Sequence, residues 1–489
     1  MSRINTNVPA LIAQHTLAKN NADLQVRLQR LSTGLQINRG ADNPAGLIVS
    51  ERLRSEINAI DQAIGNAERA INVIATAEAA LNEVSQLLND MKGLAVEAAN
   101  TGAFSKEEIK ANQLQIDSAV ASITRISNTT SFAGLQMLNG SLDYLTSGVN
   151  GSQLEDVRIF GANFGTNTTI PVTVEVLTSA NTAQLFISGN TAGAVPPGSL
   201  LSSVTFEVQG SKGVDVVSFV SGTALSAVVF SINQRSDATG VSAQLVTPGN
   251  NTSGMLLTST TYGSEAFVSV NKLGSDGAFF QTFDQQNGNA VNRDTGDDVL
   301  ALVNGSLALG DGTALSLRTT TLNVQMNLTV AAAQTLSTYS FTVTGGGSNF
   351  QIGPTVNSNQ QVGVGIQSVA ASRLGTAATG FLSSIMSGGD NSLIGSKQRE
   401  ASTIIDKAID QISTMRGRLG AFERNTLNTS IRSQQVALEN LTASESSIRD
   451  TDFAAETSRL TRAQILVNAG TSTLALANSN AQTVLSLLQ

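Results

Sequence analysis

Cysteine and tryptophan are absent from this chain of 489 residues, and histidine occurs once, as His15. Without cysteine there is no disulfide framework, no thiolate nucleophile and no cysteine-ligated metal site. One histidine and no HExxH pattern leave nothing for a zinc centre, so His15 reads as a surface or interface position. A basic excess is also lacking. The formal net charge is −8, which argues against a nucleic-acid binder, because neutralising phosphates takes clustered Lys and Arg. The opening MSRINTNVPALIAQH has no basic stretch followed by an apolar core and a small-residue cleavage site, so it does not read as a secretory signal peptide. Export would need another signal.

Catalytic patterns are missing as well. NRDTGDD, from Asn292 to Asp298, imitates a calcium loop but lacks the downstream Glu and the spacing; it reads as a solvated turn. The glycines Gly345 to Gly347 have neither a Lys nor a helix start behind them, which a phosphate loop needs. No acid/base pair or nucleophile constellation emerges, and the chain reads as a non-enzyme without catalytic, cofactor-binding or metal residues.

The largest absence is charge near the C-terminal end. After Arg462, the 27 residues of AQILVNAGTSTLALANSNAQTVLSLLQ carry no charged side chain. Gln464, Asn468, Thr471, Asn478, Asn480 and their neighbours make it too polar for a membrane span, which is predominantly apolar over ~20 residues. An ordinary surface helix would put Lys and Glu on its outer face. Phe453, Leu460, Val467, Leu474, Ala481 and Leu488 fall every seven residues, and Ala463, Gly470, Ala477 and Val484 follow the second to fifth of these by three. That is a coiled-coil stripe. Its remaining faces are uncharged, so the helix suits packing on several sides by neighbours and by copies of itself.

The rest of the chain divides by composition. Residues 151–390 hold 7 Lys+Arg and 14 Asp+Glu, against 22 and 23 in the flanks. This middle is rich in Gly, Ser, Thr and Asn. PVTVEVL (Val172, Val174, Val176) and LNVQMNLTV (Leu322, Val324, Met326, Leu328, Val330) alternate apolar and polar residues, as does YSFTV. Period-two alternation between turn residues predicts antiparallel β structure with solvated faces. The flanks carry helical stripes instead. Leu17, Leu24, Leu28, Leu31 and Leu35 are interrupted by Gly34 and NRGADNPAGL. Asn43 is a plausible N-cap and Pro44 suits the first helical position. Leu53, Ile57, Ile60, Ile64, Ala67, Ile71 and Ile74 then step by 4 and 3, continuing through Leu81 and Leu88. A helix from Pro44 to about Asn100 would be roughly 85 Å long and needs a partner along its length. Ile109, Ile116, Val120 and Ile123 suggest a returning helix, and SFAGLQMLNGSL a turn into strands. On the C-terminal side Ile405, Ala408, Ile412, Met415, Leu419 and Phe422 form a stripe. Its phase slips near Arg424 and resumes with Leu427, Ile431, Leu438, Leu441 and Ile448. Asp450 to Asp452 suits a fresh helix N-terminus.

TRAQILVNAGTSTLALANSNAQTVLSLLQ resembles the C-terminal signature of bacterial flagellin. LQRLSTGLQINRGADNPAGLIVSERLRSEI, AEAALNEVSQLLNDMKGLAVEAANTG and ISNTTSFAGLQMLNGS resemble the family's N-terminal half. The likeness covers about the first 140 and the last 90 residues, in the family's order. It implies a multidomain fold class: an α-helical coiled-coil or bundle core formed by both termini, with a mainly-β variable central region. The division it implies is a filament-core helix over 1–42, the N-terminal part of a rod-like helical domain over 43–150, a surface-exposed variable region over 151–388, the C-terminal part of the helical domain over 389–449, and a second filament-core helix over 450–489. Leu17, Leu24, Leu28, Leu31, Leu460, Val467, Leu474, Ala481 and Leu488 would form the assembly interface. Leu53, Ile57, Ile60, Ile64, Ile71, Ile74, Ile412 and Leu419 would form the helical-domain core.

The function implied is a structural subunit that polymerises into a motility filament outside the cell. Its partners would be further copies of itself, the flagellar export apparatus, a flagellin chaperone, the filament cap and hook–filament junction proteins, with no nucleic acid and no membrane insertion. A hook–filament junction protein shares the helical ends but normally lacks the AGTS…VLSLL ending; a flagellin-like surface adhesin would keep its function in the central region. The resemblance also marks a region contacted by the animal Toll-like flagellin receptor. Here Asp90 stands where detected relatives usually carry Arg, Gln115 lies near where they carry an acidic residue, and Leu94 matches. Weak or absent activation is expected, since reversed charge at a contact replaces attraction by repulsion.

Energetics agree with the polymer reading. Isolated helices are marginal in water, so the ends are expected to be largely disordered in the lone chain and to fold on assembly. Burying each Leu or Val of the stripe contributes roughly 1.5–3 kcal/mol, available only when neighbours are present. A non-closing contact repeated by one screw operation makes a helical fibre.

Overall fold

The computed structural model describes residues 6–165, 167–188, 197–275, 280–286 and 288–486. The helices are α1 (Val8–Thr33), α2 (Pro44–Ala99), α3 (Lys106–Thr129), α4 (Leu225–Asn233), α5 (Ser236–Thr239), α6 (Val330–Ala333), α7 (Gln398–Phe422), α8 (Asn428–Arg449) and α9 (Phe453–Ser486). Among the described residues no helix is long and apolar enough to cross a membrane. The chain forms two compact units. One comprises residues 1–71, 351–356 and 422–489, the other residues 72–350 and 357–421.

In the first unit, local chemistry sets each helix end. The Asn7 side chain accepts from Ala10 N (3.1 Å), and α1 stops at Gly34, whose φ of 72° is open to glycine at no steric cost. The loop that follows is organised by Asp42, whose carboxylate accepts from Asn38 N (3.0 Å) and Arg39 N (2.9 Å). Asn43 Oδ1 accepts from Gly46 N (3.0 Å) and Pro44 begins α2. A Cβ on Gly46 would lie 2.7 Å from Ile37 Cδ1, so the glycine of NPAGL lets buried Ile37 reach the helix start. Ile60, Ile64 and Ala67 of α2 form a core with Ile431 of α8, flanked by Ile71, Ala437, Leu438 and Leu441. The slip in the C-terminal stripe is a π-helical turn, Glu423–Leu427, ahead of α8. A π turn accommodates an extra residue within a helix, and the step from Leu419 to Leu427 is longer by one than two ordinary turns.

In the second unit, α2 beyond Asn72, α3 and α7 each bury one stripe. Ile74, Ala77, Leu81, Val84, Leu88 and Met91 are buried on α2, Ile116, Val120 and Ile123 on α3, and Ile404, Ile405, Ala408, Ile412 and Leu419 on α7. A capping box between Ser105 and Glu108 starts α3. Lys92 on α2 donates to Ser402 Oγ (2.6 Å) and pairs with Asp406, both on α7. SFAGLQ forms a tight hairpin, Ser131–Phe132 with Leu135–Gln136, closed by Ala133 and Gly134 at positive φ.

The β region holds an eight-stranded antiparallel sheet in the spatial order Tyr144–Ser147, Thr338–Gly346, Ile170–Thr178, Leu300–Val303, Ser306–Asp311, Ala314–Arg318, Leu322–Leu328, Leu154–Ala162. The alternating runs bury one face: Val172, Val174 and Val176; Leu322, Val324, Met326 and Leu328; Tyr339, Phe341 and Val343. Val330 departs from the expected strand. It opens the one-turn helix α6, where Thr329 caps the turn by accepting from Ala332 N, and its side chain is exposed. Two four-stranded sheets and α4 enclose a separate core around Phe206, Leu185, Leu225, Ile232, Leu257 and Val270.

Candidate assembly interface

Both ends of the chain meet in the first unit. α1 and α9 lie antiparallel. Asn7 Nδ2 donates to Ala477 O (3.1 Å) and Asn20 Nδ2 to Leu466 O (3.3 Å), and Arg27 Nη1 reaches Glu456 Oε1 (3.1 Å). α9 begins at Asp452, whose Oδ1 accepts from Ala454 N (2.9 Å) and Ala455 N (3.1 Å). A backbone clasp closes the end of the pair. Thr451 N donates to Gly34 O (2.8 Å) and Gln36 N to Arg449 O (2.7 Å), with Leu35 and Asp450 bridged between them.

The seam follows steps of 3 and 4 on both helices. On α9, Glu456, Leu460, Ala463, Val467, Gly470, Leu474 and Ala477 are covered at these steps, as are Ala10, Ala13, Leu17, Asn20, Leu24, Arg27 and Leu31 on α1; Val26, Gln29, Arg30 and Ala455 beside the stripe are partly covered too. Large residues meet small ones. A Cβ on Gly470 would stand 3.2 Å from Leu17 Cδ1, so the glycine admits the leucine. Leu28 lies off this seam at 49% exposed. The side chain of Ala481, and Leu488 altogether, lie outside the described residues.

Three polar seam positions, Asn20, Arg27 and Glu456, fall outside a count of leucines. Continuing the steps of 3 and 4 through α1 lands on Asn20 and Arg27, which an apolar tally passes over. Across from Arg27, the Glu456 side chain is only 3% exposed. It accepts from Arg27 Nη1 and from Arg459 Nη1 (3.3 Å), while Arg27 Nη2 also meets Asp23 (2.9 Å). Burial alone would lower the Arg27 pKa, but hydrogen bonds to Glu456 and Asp23 outweigh it and raise the value, so the guanidinium stays charged.

Outside the seam the two helices leave large apolar side chains uncovered: Val8, Leu11 and Ile12 on α1, and Phe453, Ile465, Leu466 and Leu476 on α9. Scattered exposed leucines are ordinary. Here they sit on helices whose pairing buries a single stripe, which leaves surface for further helices.

The other sequence-marked residues fall as follows. Ile60, Ile64, Ile74, Ile412 and Leu419 are buried; Leu53, Ile57 and Ile71 are half-buried. Ile60 and Ile64 join Ile431 in the first unit, while Ile74, Ile412 and Leu419 belong to the second. Asp90 and Gln115 are exposed on α2 and α3, and Leu94 is half-buried. His15 is exposed. Two carboxylates of NRDTGDD brace backbone, while Asp297 accepts from the Asn181 side chain (3.3 Å). Asp294 accepts from Gln184 N (2.7 Å), and Asp298 from Ser264 N (3.0 Å), Gly312 N (2.7 Å) and Ser264 Oγ (2.5 Å).

Residues 4–143 match the bacterial flagellin N-terminal helical region and residues 402–488 the bacterial flagellin C-terminal helical region. The B-type flagellin of Pseudomonas aeruginosa is 29% identical over 532 aligned residues, covering 99% of both chains. The flagellin of Salmonella muenchen is 28% identical over 546, again covering 99% of each. Among solved structures, a flagellar hook associated protein-3 from Legionella pneumophila aligns with 81% of this chain and 98% of its own, at 13% identity and a TM-score of 0.32. At that TM-score the likeness adds nothing to the sequence matches.

Proposed function

The chain belongs to the bacterial flagellin family, and on that premise we propose how it works: it is a structural subunit of the flagellar filament whose terminal helices order and pack on assembly. The observation that carries this reading is the α1–α9 pair. Both family-matched ends meet along one antiparallel seam, with apolar side chains such as Leu11, Ile12, Ile465 and Leu476 left exposed on the other faces. Copies that cover those faces gain apolar burial together with the order of both helices, which couples folding to polymerisation.

In this reading Leu17, Leu24, Leu28, Leu31, Leu460, Val467, Leu474, Ala481 and Leu488 supply the contacts within and between copies. Helical segments 43–150 and 389–449 support them, and the β-rich segment 151–388 faces solvent. The polymer lies outside the cell. The subunit's partners are flagellar: other copies, and the export apparatus, chaperone, cap and junction proteins that handle it before and during growth. The family is one of structural proteins, and Asp294 and Asp298 of the stretch that imitates a calcium loop brace backbone.

Seeding tests the reading. Purified chain mixed with filament fragments should elongate them under electron microscopy. Leu474→Asp should stay soluble and unassembled, because an unpaired carboxylate on the seam cannot be desolvated cheaply. Normal filaments from that variant would overturn the assignment.

A further inference from the structure

We propose that the buried Arg27–Glu456 pair fixes the register in which the two terminal helices pair, and so determines which alignment of the chain ends enters the polymer. The proposal rests on the filament reading above and adds a residue-level rule to it.

The apolar part of the seam does not define a unique alignment. Leu460, Val467 and Leu474 recur every seven residues on α9, as Ala463, Gly470 and Ala477 do; on α1 Leu17, Leu24 and Leu31 recur at the same interval. Sliding α9 by seven residues therefore puts a large residue against a small one again. Leu17, now against Gly470, would meet Ala463 or Ala477. Apolar burial changes little on such a slip, so hydrophobic association alone tolerates it.

Polar groups break the repeat. Seven residues beyond Glu456 stands Ala463, and seven residues before Arg27 stands Asn20. In a slipped pair Glu456, 3% exposed and held by Arg27 and Arg459, would lose its cross-helix partner inside the contact. Removing one partner of a buried ion pair is strongly destabilising, even where the pair itself adds little net stability. A single polar seam position fixing register is the best attested use of such groups. Asp23 anchors Arg27 from within α1, so the guanidinium is already aimed when the helices meet. The backbone clasp at Gly34 and Thr451 is the competing determinant, and the experiment separates the two.

The absence of native cysteine makes the register directly readable. Leu17→Cys with Gly470→Cys reports the native alignment, since the Gly470 Cβ position lies 3.7 Å from Leu17 Cβ, within disulfide range. Leu17→Cys with Ala463→Cys, or with Ala477→Cys, reports a seven-residue slip. Each pair is oxidised in seeded filaments, and disulfides within one chain are separated from those between copies on non-reducing gels. In the parent background only the native pair should close. In Arg27→Met/Glu456→Met, which keeps the seam apolar, at least one slipped pair should close with at least tenfold higher yield than in the parent. Exclusively native disulfides in the double variant would overturn the proposal and assign the register to the clasp. If the double variant does not enter filaments, Glu456→Gln is read in the same way, and native-only disulfides there also overturn it. Failure of the unmodified chain to elongate seeds would count against the filament reading instead.

Discussion

Asp298 shows how this chain uses its few carboxylates. Burial alone would raise its pKa, but donors from Ser264 Oγ, Gly312 N and Ser264 N outweigh burial and hold it below the ordinary 3.8. Asp117 follows the same pattern: burial opposes, and bonds from Ser387 and Gln113 prevail. A folded-state pKa below the unfolded one means stability that is fully present above the unfolded value and is lost as pH falls through the folded value. Asp298→Asn should therefore reduce the unfolding free energy by about 1–2 kcal/mol at neutral pH. The gap between variant and parent should narrow as the pH falls below the ordinary carboxylate value, in urea titrations monitored by circular dichroism. A gap of constant size across that range would show that shape rather than charge carries the contribution. Asp298 could not be assigned this role from sequence, because its partners Ser264 and Gly312 are brought to it by strand pairing and not by spacing along the chain.

At the scale of elements, legibility tracks locality. Helical stripes show in the sequence because burial repeats at 3 and 4: Ile74, Leu81 and Leu88 on α2 are each fully buried. The π turn at Glu423–Leu427 shows only as a break in phase, since the pattern registers an added residue without its geometry. The alternating runs specify which strand face is buried. They do not specify which strand lies alongside, so the order that sets Ile170–Thr178 between Thr338–Gly346 and Leu300–Val303 is invisible in them. Asn20, Arg27 and Glu456 stay hidden for a related reason: counting apolar residues passes over polar ones that occupy seam positions. A contrast on one helix tests the burial assignment. Ile74→Ala should cost about 2–5 kcal/mol through a cavity in a packed stripe. Val96→Ala, on a face that is 57% exposed, should change stability by less than about 0.5 kcal/mol. Equal losses in denaturant melts would place both residues in the same environment and contradict the stripe.

For the whole molecule, the two units differ in how much of their apolar surface a single copy can cover. The β region closes cores of its own around Met326 and Phe206. The α1–α9 pair closes only a seam and leaves Leu11, Ile12, Ile465 and Leu476 exposed. Beyond Arg462 the side chains of α9 carry only amides, hydroxyls and aliphatic groups. Such a surface gives dissolved ions nothing to screen. Shortening the Debye length from about 10 Å at 0.1 M sodium chloride to about 3 Å at 1 M should leave the elongation rate of seeded filaments nearly constant, followed by light scattering. Ammonium sulfate at equal ionic strength should accelerate it, because excluded salts strengthen apolar burial without acting through charge. On the filament reading, the bare chemistry of one helix would make growth responsive to solvent cohesion and indifferent to salinity.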